Sequence, residues 1–352
     1  MEKGFSLYLG ASGFREDQYT YMQTMSEAGF TVMFTSLHIP EENGGEREAV
    51  LKGMMEKAAK WRLEVVIDVA PDALSVIQSL RAKPTALRLD HGFSIKEMTE
   101  LARCYRIAFN ASTMTETFAA DLQNAGVDPA KIEVWHNYYP RPETGLSRDE
   151  VKRRNERFRA MGFKTAAFVP GDKDLRGPVK AGLPSAEDHR SWAPYAAARD
   201  LTDELATDLV MVGDPGLTEH SISSFQSDEA RFRAEFETEL SEAERTIAGL
   251  KHKQRPDPAR DVVRSEPSRS EAKKHNLHVL PRSVSARRRG DVTIDNENYG
   301  RYQGELQLVK TPLNDDPRVN TIGQITESDL PLLDLLQPGE KFLLCAKDQQ
   351  GK

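Results

Sequence analysis

The chain has 352 residues, 29% of them charged and 38% hydrophobic, with a formal net charge of −7. That length points to two domains, and the acidic balance argues against nucleic acid or an anionic membrane surface as a general partner. No stretch approaches the ~18 apolar residues of a membrane span, and the start (Phe5-Ser6-Leu7-Tyr8-Leu9) has no basic, apolar leader, so a cytoplasmic protein is expected.

Short apolar bursts recur along the first two thirds of the chain, each ending in polar, Gly or Pro residues. They are Phe5–Leu9, Val32–Ser36, Glu64–Val69, Ala86–Asp90, Ile107–Asn110, Ile132–Asn137, Thr165–Val169 and Leu209–Gly213. Helix-length amphipathic stretches separate them, such as Asp17–Gly29 and Glu46–Trp61, and the alternation reads as eight β-α units. Ser94 with Glu97 predicts a capping box, and Thr113 or Thr115 and Thr218 are placed to cap later helices. Eight such units predict an N-terminal (β/α)8 TIM barrel of the α/β class over residues 1–230.

From about Arg231 the alternation stops. Arg231–Phe236 alternates as a strand, Ser241–Leu250 is helical, and Pro256–Pro267 is extended. Asp291–Ile294, Gly304–Val309, Val319–Ile325 and Lys341–Cys345 follow as short strands, with a helix-like Leu330–Leu336 before the last. Residues 231–352 therefore predict a small antiparallel C-terminal β domain, a barrel among the options. Cys104 and Cys345, the only cysteines, fall in different predicted domains, so no disulfide framework is expected.

A parallel barrel carries its chemistry where its strands end, and Asp68, Asp90, Asn110, His136, Asn137 and Asp214 fall there. Two carboxyls about 5–9.5 Å apart suit glycoside hydrolysis, and Asp68 and Asp90 come from neighbouring strands. The alternative is that these carboxylates cap loops or pair with Arg88 or Arg141. His38, His136 and Asp68 are metal-ligand types without metal-ligand spacing, so no metal and no cofactor is expected. No lysine stands at a strand end, which argues against a Schiff-base aldolase. Gly171, Gly177, Gly213 and Gly216, with Arg176 or Arg190, suggest a phosphate between the last two strand-end loops, although Gly213-Asp-Pro-Gly216 is equally a tight turn. Trp135, Tyr138 and Tyr139 could stack on a sugar or simply pack in the core.

Several segments together resemble the bacterial 6-phospho-N-acetylmuramidase family. They are Phe34-Thr-Ser-Leu-His-Ile-Pro40, Leu87-Arg-Leu-Asp-His-Gly92, His136-Asn-Tyr-Tyr-Pro-Arg-Pro-Glu-Thr-Gly-Leu146 and Gly213-Asp-Pro-Gly216. Arg255-Pro-Asp-Pro-Ala-Arg260, Arg289-Gly-Asp-Val-Thr-Ile-Asp-Asn296 and Tyr299-Gly-Arg-Tyr-Gln-Gly-Glu305 extend the resemblance over the second half. Trp135, and His91 where a tyrosine is more usual, depart from the pattern. The resemblance implies a TIM barrel followed by a cyclophilin-like β-barrel. It also implies hydrolysis of the β-1,4 bond of 6-phospho-N-acetylmuramic acid–N-acetylglucosamine, a phosphorylated amino-sugar disaccharide of peptidoglycan recycling.

On this reading Asp90 and Asp68 are the expected catalytic pair, with Asp214 third. His38, Asn110, His136, Asn137, Tyr139 and Arg141 are expected around the sugar. Arg176 and Arg190, with Arg301 from the second domain, are expected on the phosphate or lactyl carboxylate. A homo-oligomer is compatible with the chain. The competing readings are a metal-assisted sugar-phosphate isomerase or lyase, and a non-catalytic carbohydrate-binding protein.

Overall fold

The protein is described by a computed structural model over residues 1–9, 16–37, 44–227 and 229–347. It divides into two compact units, Met1–Gln226 and Ser227–Lys352. Among the described residues no helix is long and apolar enough to cross a membrane.

The first unit is a closed barrel of parallel strands. They are β1 (Glu2–Ser6), β2 (Val32–Ser36), β3 (Glu64–Val69), β4 (Ala86–Leu89), β5 (Arg106–Asn110), β6 (Ile132–Trp135), β7 (Lys164–Val169) and β8 (Leu209–Val212), with β8 pairing back onto β1. The intervening helices are α1 (Glu16–Glu27), α2 (Gly44–Lys60), α3 (Leu74–Ser79), α4 (Ile95–Ala102), α5 (Glu116–Asn124), α6 (Arg148–Ala160), α7 (Pro194–Asp203) and α8 (Glu219–Gln226). Ser94 and Glu97 close a capping box on α4, and Thr115 rather than Thr113 caps α5 through the Phe118 amide.

Strand β1 begins before the first apolar burst. Glu2, Lys3, Gly4 and Phe5 pair with β8, so two charged residues lead the strand. Glu2 is anchored there by Lys164 at 2.7 Å. Gly4 is required by packing, since a Cβ there would lie 2.3 Å from the Met211 sulfur and 2.7 Å from the Val32 carbonyl.

Side chains alternate across each strand. One set (Phe5, Met33, Ile67, Leu87, Phe109, Val134, Val169 and Val212 among it) packs in the core that includes the helices. The other forms a separate apolar layer inside the barrel, in which Phe34, Trp135 and Phe168 meet with ring centroids 5.6–5.9 Å apart. Polar layers close the barrel at both ends. At the N-terminal end Arg106 joins Glu64 and Glu133, and Glu133 also accepts the Trp135 indole N–H at 2.8 Å. The C-terminal end holds the candidate site.

The second unit is a sheet of seven strands with short helices between them in the chain. Its elements are β9 (Ala230–Phe236), α9 (Glu242–Ala248), β10 (His252–Lys253), β11 (Val262–Arg264), α10 (Ser268–Lys274), β12 (Asp291–Asp295), β13 (Leu306–Val309), β14 (Val319–Ile325), α11 (Leu332–Leu335) and β15 (Lys341–Ala346). The strand order is β10-β15-β9-β14-β12-β13-β11. Pairing is antiparallel except between β15 and β9, which run parallel, so the domain departs from the all-antiparallel expectation at this pair. The long excursion from β9 to β15 permits this, because parallel neighbours need a crossover rather than a hairpin.

Candidate active site at the C-terminal end of the barrel

Asp68 and Arg88 are opposite partners on neighbouring strands. One Arg88 nitrogen donates to Asp68 Oδ1 at 2.9 Å, and the other donates to Asn137 Oδ1 at 2.8 Å. Ser36, at the end of β2, donates its hydroxyl to Asp68 Oδ2 at 3.1 Å. Both Asp68 oxygens therefore act as acceptors in these bonds, as those of a carboxylate do. Ser36, Asp68, Arg88 and Asn137 continue the barrel-interior alternation of Phe34, Val66, Ala86 and Trp135 by one step. They form a polar layer directly above the apolar plug.

Asp90 lies one step further along the alternation from Arg88. It is 38% exposed and meets Nδ1 of the exposed His91 at 2.8 Å. Asn110 ends β5 and accepts both the amide and the hydroxyl of Ser112, each at 2.9 Å, so its carbonyl shapes its own turn.

Across the barrel mouth Arg176 lies between two tyrosines. Its guanidinium carbon is 4.1 Å from the Tyr8 ring centroid and 5.8 Å from that of Tyr138, and it donates to the Tyr138 hydroxyl at 2.7 Å. Among the described residues it forms no salt bridge, an arrangement that leaves its charge available to an anion. Tyr8 donates its hydroxyl to the Gly213 carbonyl at 2.8 Å, and burial, then the nearby Tyr138, pushes its pKa well up.

Other sequence candidates support this framework. Asp214 accepts the amides of Gly171, Leu183 and Arg176 at 2.9–3.0 Å, so it ties the loop after β7 to the end of β8 and positions Arg176. Burial raises its pKa while those amides oppose the rise. Arg190 forms a two-point pair with Glu187 at 2.6 and 2.7 Å and donates to the carbonyls of Ala181, Gly182, Tyr139 and Arg141. Glu187 also accepts the Glu143 and Gly145 amides, and Arg190, with these amides, brings its pKa down to about 2 against burial. The pair braces the loop that carries Tyr139 and the exposed Arg141.

His136 is turned away from the barrel interior. Its Nε2 meets Asn155 Oδ1 at 2.8 Å, while Asn155 donates its amide to Leu205 and Thr207. The imidazole therefore donates from Nε2, and its buried Nδ1 has no partner. Burial chiefly holds its pKa down to about 4, with the Asn155 bond and Glu150 raising it and Arg154 lowering it. Trp135 is fully buried, so its ring is core rather than a sugar platform. His38 lies outside the described residues. Arg301 belongs to the second unit, over Tyr302 at 4.9 Å. Among the described residues no group of three or more His, Cys, Asp or Glu side chains could hold a metal ion.

In the sequence Arg88 stands only as an optional carboxylate partner, and Tyr8 and Ser36 are not marked as site residues. Their signal was the period of two: Ser36 and Arg88 each share the inward face of a strand whose other inward residues are apolar.

Residues 3–227 match the family described as 6-phospho-N-acetylmuramidase, N-terminal, and residues 230–345 its C-terminal counterpart. A conserved Enterococcus faecalis protein of unknown function is 34% identical, with 99% of this chain and 97% of that one covered and a TM-score of 0.88. An uncharacterised B. cereus protein is 26% identical, with 98% and 99% covered and a TM-score of 0.74. No curated protein matches the chain. Both halves match in order and together cover nearly every residue, and the chain belongs to the 6-phospho-N-acetylmuramidase family.

Proposed function

We propose that this protein is a glycoside hydrolase that cleaves the β-1,4 bond of 6-phospho-N-acetylmuramic acid–N-acetylglucosamine in cytoplasmic peptidoglycan recycling. The observation that carries the reading is the inward polar layer of Asp68, Arg88 and Asn137 at the catalytic end of a barrel whose family is named for this activity. An available guanidinium, Arg176, borders the same mouth. The first unit is then the catalytic domain. The second is read as the cyclophilin-like β-barrel that the resemblance implies, and fold alone assigns it no activity.

In the reaction the bond between muramyl C1 and the GlcNAc O4 breaks, and a proton passes to O4. Asp90, at the accessible rim, is the proton donor in this scheme. Asp68 is the nucleophile, the base for water, or the group that orients the substrate's 2-acetamido oxygen toward C1. Arg88 holds Asp68 in place, and Asn137 and Asn110 with Tyr139 and Arg141 contact sugar hydroxyls or the acetamide. Arg176 takes the 6-phosphate or the lactyl carboxylate, positioned by Asp214 and by the Glu187–Arg190 brace. Water completes the hydrolysis at C1.

The test is incubation of the purified protein with the phosphorylated disaccharide and with its unphosphorylated twin, each with and without EDTA, following released GlcNAc by mass spectrometry. Cleavage of the phosphorylated sugar alone, insensitive to EDTA, is expected. Cleavage of neither sugar, or loss of activity with EDTA, overturns the assignment.

A further inference from the structure

The second unit contains a cavity of about 840 Å³ formed wholly from its own residues. Arg255, Arg264, Arg269, Lys273 and Arg301 line it, against Glu266 as the one carboxylate in the lining. These side chains come from separate parts of the unit: the chain before β11, β11 itself, α10, and the short 3-10 helix before β13. The fold gathers charges that are scattered in sequence.

Two of the five cations are internally neutralised. Arg264 makes a two-point pair with Glu305 at 2.7 and 3.1 Å, and Arg255 one with Asp257 at 2.9 and 3.2 Å. The other three lack a hydrogen-bonded carboxylate among the described residues. Arg269 has only a 3.7 Å approach to the already paired Glu305, while Lys273 and Arg301 form no salt bridge among the described residues. Arg269 and Arg301 also both contact the Tyr302 ring, at 5.4 and 4.9 Å, and Arg301 donates to the Tyr302 hydroxyl at 2.9 Å. An aromatic ring thus holds two guanidinium groups beside one concave space, where like charges focus the field on an anion.

We propose that this cavity is a binding site for a small organic phosphomonoester, with the phosphate on Arg269, Lys273 and Arg301 and the ring-bearing remainder filling the space beside Tyr302. Guanidinium forks match phosphate oxygens, and a dianion answers three cations without a hydrogen-bonded carboxylate better than a single carboxylate does. The volume lies within the range of small-molecule sites and exceeds what inorganic phosphate needs. Every lining residue belongs to the second unit.

Calorimetric titration of the full chain with N-acetylglucosamine 6-phosphate, AMP, inorganic phosphate and unphosphorylated N-acetylglucosamine tests it. One or both organic phosphates should bind, with affinity falling as salt rises, and the unphosphorylated sugar should not. Which of the two binds more tightly distinguishes a sugar phosphate from a nucleotide. Arg269→Ala and Arg301→Ala should each weaken binding about tenfold or more. Lys273→Glu, at an exposed position, should do the same without burden on folding, while Arg176→Ala in the barrel leaves a binding event in place. The proposal is overturned if neither organic phosphate binds. It is equally overturned if binding survives all three substitutions in the second unit, or if it vanishes with Arg176→Ala.

Discussion

Arg88 reaches from the fourth barrel strand to Asp68 on the third, 2.9 Å away, and with its second nitrogen to Asn137, 2.8 Å away beyond the sixth. One planar side chain therefore fixes a carboxylate and an amide from two non-adjacent strands of the barrel. The two bonds use two different guanidinium nitrogens, a planar two-nitrogen reach that the single nitrogen of a lysine does not offer.

Asp68→Asn should keep the shape of the site while removing its charge. Release of GlcNAc from the phosphorylated disaccharide should fall by about 10²–10⁴-fold, with a smaller loss of stability than Arg88→Ala because the amide still offers Arg88 an acceptor. Arg88→Ala should cost activity and stability together, because it leaves Asp68 without its cation. Both partners are slightly exposed, so a loss of about 2 kcal/mol is expected, below the range for a fully buried pair. Urea denaturation and initial rates measured on both variants check this. Full activity in Asp68→Asn would remove Asp68 from the reaction.

Arg176→Ala should act on binding more than on bond breaking. If Arg176 holds the phosphate, KM for the phosphorylated disaccharide should rise about tenfold or more, with a smaller change in kcat. Arg176→Lys should recover part of the loss. An unchanged KM would place the phosphate elsewhere.

The buried His136 should make the barrel unit acid-sensitive. Its folded pKa, held down to about 4 by burial, lies below the ordinary value of 6.5. The unfolded chain then binds the proton more readily, so stability is lost as pH falls from about 6.5 to about 4. The protein's tryptophans, Trp61, Trp135 and Trp192, all lie in the barrel unit, so their emission reports it selectively. Urea midpoints followed by that emission should drop over this range, and His136→Gln should flatten the drop. An equal drop in both proteins would assign the acid sensitivity to other groups.

Asp295 in the second unit behaves with the opposite sign. Burial, with Glu305 and Asp316 nearby, raises its pKa to about 7, against the pull of Arg287 and Arg264. Its folded pKa exceeds the ordinary 3.8, so the folded state loses stability as pH rises from 3.8 to about 7. Asp295→Asn should therefore raise the calorimetric melting temperature at pH 8, with the gain shrinking toward pH 4. A lower melting temperature at pH 8 would mean that the carboxylate is needed in its charged form.

The repeat of apolar bursts made the barrel legible because a strand buried on both faces must be apolar along nearly its whole length. Strands β2, β3 and β14 begin and end where the pattern predicts. The capping box at Ser94 was equally legible, since a cap is a local hydrogen bond between residues three apart. Strand β1 was placed late because its first residues, Glu2 and Lys3, are charged. What makes them strand is pairing with β8, more than two hundred residues away. The strand β11 within the extended Pro256–Pro267 stretch owes its place in the sheet to β13 in the same way.

By itself the sequence determined the alternation of elements, the caps, and which polar residues stand at strand ends, all consequences of local periodicity and short-range hydrogen bonding. Only the tertiary structure decided what each of those residues does. Asp68 turns inward and meets Arg88, while Asp214, also a strand-end aspartate, is taken up by three backbone amides. Adjacent residues separate in the same manner: Asn137 meets Arg88 inside the barrel, and His136 meets Asn155 on the helix outside it. The reason is geometric. A strand sends successive side chains to opposite faces, and barrel closure makes one face the site and the other the packing surface for helices.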